Sequence, residues 1–155
     1  MGSTYALGGG AGGGGGTTSD AAGTAVIGSA GSPVTLATSP NFTLQGTLTD
    51  VTAYRQCSWY VIIANKDAAT NQIDVQIDWT ADGGTVFSPQ GTESITAGAS
   101  TLSIYQAQYD VSVFPGASSF SLPVIALPVI APEVRIRVRA DAGSTTAYVL
   151  VARQV

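Results

Sequence analysis

The chain has no histidine and a single cysteine, Cys57, in 155 residues. Without histidine no His-based triad can be assembled, and the usual general base near neutral pH and the commonest zinc ligand are both missing. One thiol excludes an internal disulfide and fits synthesis in a reducing compartment. Cys57 sits among strand-forming residues with no base partner, so it reads as a buried, inert thiol rather than a nucleophile. Charge is scarce as well, at 10% of residues against about a quarter in ordinary globular chains. Six basic residues face ten acidic ones, for a net charge of −4. That excludes the basic excess needed to neutralise phosphates, so neither nucleic acid nor an anionic membrane is expected as a partner. Long apolar runs are missing too: the longest, "LPVIALPVIAP" from Leu122 to Pro132, is interrupted by proline and too short to span a bilayer. The start, "MGSTYALGGG", has no cationic or apolar signal region, so a soluble protein without a secretory leader is expected. These absences predict no catalytic residue, no cofactor and no resident metal, and therefore no enzyme.

Glycine, by contrast, is plentiful and unevenly placed. Residues 1–32 hold 12 of the 19 glycines, including "GGGAGGGGG" from Gly8 to Gly16, and one charge, Asp20. Such a stretch has the most backbone entropy to lose and few side chains to pack, which predicts an extended N-terminal arm. The tract satisfies G-x-G-x-x-G trivially, but no strand precedes it, no helical pattern follows, and it lacks the G-K-[ST] ending of a phosphate loop.

From Pro33 to Val155 the pattern has period two, with turn residues between short runs, and no helical spacing appears. Strands are expected near 33–38, 42–50, 57–65, 71–80, 84–88, 92–96, 99–106, 108–114, 119–126, 133–139 and 145–152. In "NQIDVQIDWT", Ile73, Val75, Ile77 and Trp79 share one face, and Asp74, Gln76 and Asp78 the other. This predicts a strand half buried and half wet. "ADGG" (Ala81 to Gly84) and "DAGS" (Asp141 to Ser144) read as hairpin turns. The expected class is all-β: an antiparallel β-sandwich or jelly-roll-like domain over residues 33–155, preceded by the glycine-rich arm of residues 1–32.

Two segments break the half-wet rule. In "CSWYVIIAN", Tyr60, Ile62 and Ala64 make the second face apolar as well. The tandem "LPVIA", "LPVIA" places Leu122, Val124, Leu127 and Val129 next to prolines that bar a central ladder position. Such surfaces are usually buried in something, which points to subunit contact through Tyr60, Ile62, Leu122, Val124, Leu127 and Val129.

The charged residues cluster twice. Asp74, Asp78 and Asp82 do not fit the D-x-D-x-D-G calcium loop, and Asp74 and Asp78 stand about 13 Å apart on a strand, too far to share one ion. They read as a solvated strand face. Half of the six basic residues, Arg135, Arg137 and Arg139, alternate with Val134, Ile136 and Val138. The bland reading puts the guanidinium heads outward in water, with Asp74 and Asp78 pairing with them if their strands are neighbours. The functional reading makes the row a contact for an acidic patch on a partner.

"YVIIANKDAATNQIDVQIDWTADGGTVFS", followed by "EVRIRVRADAGSTTAYVLVARQV", resembles the small β-sandwich virion structural proteins of tailed bacteriophages. The match is carried by Trp79, Asp82, Gly83, Gly84, Thr85 and Phe87, then Arg135, Arg137, Gly143, Thr145 and Arg153. It spans roughly residues 42–155. The resemblance implies a capsid decoration or cement protein, made in the host cytoplasm and carried on the virion surface. It also implies a homo-oligomer, with a trimer favoured, and a major capsid protein or another virion protein as partner. A second reading is a receptor- or carbohydrate-binding module of a tail or fibre, with Tyr54, Tyr105 and Tyr109 as candidate contacts. A third, a hydrolase using Asp110 and Glu93, draws no support from their spacing.

Overall fold

The computed structural model describes residues 23–40, 42–83 and 101–155, which hold eleven β-strands and no helix. They are β1 (Thr24–Ile27), β2 (Val34–Thr35), β3 (Ala37–Thr38), β4 (Thr49–Asp50), β5 (Gln56–Asn65), β6 (Gln72–Thr80), β7 (Thr101–Asp110), β8 (Phe120–Ser121), β9 (Ile125–Pro128), β10 (Glu133–Ala140) and β11 (Thr146–Gln154). The period-two runs are realised most fully in β5, β6, β10 and β11. Residues 99–114, read as two strands, contribute one continuous β7. The 42–50 run pairs only as β4 and as a single bridge from Gln45 to Arg137. The expected strands at 84–88 and 92–96, and the glycine tract of residues 8–16, lie outside the described residues.

These strands form two sheets. The six-stranded sheet runs β1-β11-β5-β8, with β2 also on β11 and β9 on β5. The five-stranded sheet runs β3-β10-β6-β7, with β4 also on β10. All pairings are antiparallel except β3 with β10. The six-stranded sheet begins at Thr24, inside the stretch read as arm, because Thr24–Ile27 finds the free edge of β11.

Alternation decides what lies between the layers. Cys57, Trp59, Val61 and Ile63 from β5 and Ala147, Val149 and Val151 from β11 meet Ile73, Val75, Ile77 and Trp79 from β6 and Val134, Ile136 and Val138 from β10. All are essentially without solvent contact. Each fully buried aliphatic or aromatic side chain contributes about 1.5–3 kcal/mol of transfer free energy. Trp59 and Trp79 meet edge to face across the layers, with centroids 6.3 Å apart, an arrangement that suits the ring quadrupoles. The layers are also tied at one side by the backbone. Gly46 N–H donates to Ile136 O on β10 and Thr47 N–H to Val26 O on β1. A Cβ on Gly46 would come within 3.1 Å of Ile136 and 3.3 Å of Val26 O, so this approach favours glycine.

The expectation that "DAGS" makes a hairpin is corrected. β10 and β11 belong to different sheets, so the turn carries the chain from one layer to the other. The link between β5 and β6 makes the same crossing beside it, and the two are fastened together. Asp67 accepts from Ser144 N and Oγ at 3.1 and 2.9 Å. Thr70 and Thr145 hydroxyls meet at 2.6 Å, and Asp141 Oδ1 accepts from Asn71 N and Gln72 N. Gly143, at φ +84°, lies so close to Asp67 that a Cβ would stand 2.8 Å from its carboxyl carbon. A crossing needs a sharp bend with satisfied backbone groups, and Asp, Gly, Ser and Thr supply that as well as they supply a hairpin.

Candidate interaction face

The outward faces of the two sheets differ in kind. On the five-stranded sheet, the register sets Arg135 opposite Asp78, Arg137 opposite Gln76 and Arg139 opposite Asp74. Arg135 Nε donates to Asp78 Oδ2 at 3.0 Å and Arg139 Nε to Asp74 Oδ2 at 2.8 Å. Arg137 reaches diagonally to Asp78: its Nε lies 2.8 Å from Oδ2, a charge contact too bent to count as a hydrogen bond, and its Nη2 donates to Oδ1 at 3.4 Å. Gln76 and Gln72 donate to the same two carboxylates.

This face is not wet, which corrects both the solvated-face reading of Asp74 and Asp78 and the solvent-facing reading of the arginines. Asp78 and Gln76 are fully buried, and Asp74, Arg137 and Arg139 are 3–7% exposed; Arg135 is half-buried. Phe42 lies under the guanidinium groups, its ring centre 4.2 Å from Arg139 and 5.3 Å from Arg137. Gln45 Oε1 accepts from Arg135 at 2.7 Å, and Pro40 O accepts from Arg139 at 2.8 Å. The acidic partner of the arginine row is therefore within the chain. Charges out of water demand such pairing, because an uncompensated one costs several kcal/mol.

The outer face of the six-stranded sheet carries no charge at its paired positions. Register places Ala25, Leu150 and Tyr60 in one row, Tyr148, Ile62 and Ser121 in the next, and Ala152, Ser58 and Ala126 in a third. Tyr60 is 36% exposed, Ile62, Tyr148 and Leu150 are half-buried, and Ala25, Ser121 and Ala126 are exposed. This is the double-sided apolar strand read from "CSWYVIIAN". Its neighbour "TAYVLVA" has the same signature in Tyr148, Leu150 and Ala152, so the sequence carried a signal for those contributors as well.

The "LPVIA" repeat divides. Leu122 is buried in the core and donates its N–H to Val61 O, so the expected subunit contact there is corrected: its side chain finishes the core. Leu127 and Val129 are half-buried and pack against that core, while Val124 is 53% exposed. The β7–β8 loop adds an apolar tip not anticipated from sequence. Val113 and Phe114 are exposed, and Phe114 stacks on Phe120 with centroids 3.9 Å apart. Lys66 N–H donates to Ser118 O and Ala117 N–H to Lys66 O, which fixes the loop to the β5–β6 link.

Of the tyrosines read as sugar contacts, Tyr54 has Arg153 4.8 Å over its ring and Tyr109 packs against the core, while the Tyr105 side chain lies outside the described residues. Cys57 is buried. Asp110 holds its carboxylate below the usual range by accepting from the Ser112 hydroxyl and backbone N–H. Glu93 lies outside the described residues. No group of three or more His, Cys, Asp or Glu side chains suited to a metal occurs among the described residues. No family model matches the chain, and no curated protein or solved structure gives a significant match.

Proposed function

We propose that the protein is a non-enzymatic virion structural protein, a capsid cement or decoration protein of the kind found in tailed bacteriophages. In this reading it binds the outer shell formed by the major capsid protein and strengthens it by adding subunit contacts. It is made in the host cytoplasm and carried on the capsid surface as a homo-oligomer, with a trimer favoured. The observation that carries the reading is the sorting of charge. The arginine–aspartate ladder is ion-paired under cover, while the six-stranded sheet presents an uncharged, half-exposed face on a layered scaffold. A surface of that kind suits association rather than chemistry. The nested pairing of β5 and β6 with β11 and β10 supports a jelly-roll form of the sandwich.

Imaging of native particles tests this directly. The expected result is density for the chain on the outer shell at a fixed ratio to the major capsid protein. Purified particles that lack the chain would overturn it.

A further inference from the structure

We infer that the uncharged outer face of the six-stranded sheet, centred on Tyr60 and Leu150, is where a second copy of this chain docks. Three arginines against two aspartates leave the ladder at +1, so the remaining charges sum to −5, for the net −4. Much of that acid is displayed on connections and strand ends: Asp50, Asp82 and Asp110 are exposed, and Asp67, Glu133 and Asp141 are half-exposed. Two identical acidic molecules repel across those surfaces. They meet least opposition where neither presents a charge, and the two rows through Tyr60 and Ile62 across β1, β11, β5 and β8 provide such a surface. A charge-free face meets any part of a second copy without like-charge repulsion, so it can serve a twofold or a threefold contact.

Side-chain sizes agree. Tyr60 is the most exposed of the large side chains in these rows, at 36%, and its small neighbours Ala25 and Ala126 are exposed beside it, whereas Ser58 and Ala152 are buried. Tyrosine suits such an anchor, having a large apolar body, a hydroxyl for the wet rim and only two torsions to fix. β5 and β11 are held by nine register pairs, so the face is presented without a further ordering cost.

This deepens the assembly reading but is tested apart from it, because self-association is a property of the purified full chain and needs no particle. Sedimentation velocity is expected to show an oligomer for the wild-type chain. Tyr60→Asp and Leu150→Asp each place a carboxylate on the face and should weaken association at least about tenfold, the loss of one central contact, while circular dichroism shows the fold kept. Gln108→Asp, on the outer face of the other sheet, should leave association unchanged. A monomeric wild-type chain overturns the inference and gives the face to another virion protein or to residues 1–22. Folded Asp variants that still assemble like the wild type overturn it as well.

Discussion

Outside the core, β6 and β10 hold four charges under cover and a fifth, Arg135, half-buried, whereas β5 and β11 carry an uncharged, half-exposed outer face. All four strands alternate in the same way and all four complete the same core. The difference shows that alternation assigns residues to a face but does not say what lies over it. It also separates two roles. A buried ion-pair ladder is weak evidence for net stability, because desolvation offsets much of the attraction. What the ladder does supply is register: a one-residue slip of β10 on β6 would turn the arginines into the apolar core. The uncharged face adds little to register and is the surface we assign to self-association.

The largest loss of stability is expected at Asp78. Asp78→Ala leaves Arg135 and Arg137 without their shared carboxylate and should cost about 3–5 kcal/mol, read as a fall in the urea midpoint. Phe42→Ala removes a buried ring beneath two guanidinium groups and should cost about 3 kcal/mol by the same measurement. Gly143→Ala strains a left-handed residue and presses on Asp67. A loss of about 1–3 kcal/mol is expected in thermal unfolding, because the crossing shared by both sheets is disturbed. On the open face, Tyr148→Ser should change monomer stability by less than about 1 kcal/mol. A loss as large as that of Asp78→Ala would mean that this face is buried within the monomer, and the contrast between the sheets would collapse.

Acid acts on the connections rather than on the sheets. Asp67 is held below the ordinary carboxylate range by hydrogen bonds from Ala69 and Ser144, and Asp50 by those from Thr52. A carboxylate with a depressed folded-state pKa stabilises the fold above its unfolded value and loses that contribution as pH falls through the folded value. The loss should therefore begin below about pH 4. Asp67→Asn should be less stable than the wild type at neutral pH, and the gap should narrow as the pH falls through that window, as followed by denaturant midpoints at a series of pH values.

Much of this was legible in the sequence. The all-β class, the inward rows of β5 and β6, the buried Cys57 and the double apolar face at Tyr60 and Ile62 all follow from period-two alternation. The ion pairs between the arginines and Asp74 and Asp78 were legible as a condition, namely that their strands be neighbours. The cover over them was not, because Gln45 meets Arg135 from 90 residues away and nothing local marks that approach. Leu122 misled because a leucine flanked by prolines reads as an exposed edge, whereas its backbone joins β5 and its side chain turns inward. "DAGS" misled because a tight turn within a sheet and a crossing between sheets use the same residue types.

Spacing and composition alone set which residues share a face and which residue types are absent or scarce. Tertiary structure decided which polar face would be sealed and which apolar face left open. Burial is set by segments far apart in the chain, and the cost of hiding a charge is known only once its partner is in place.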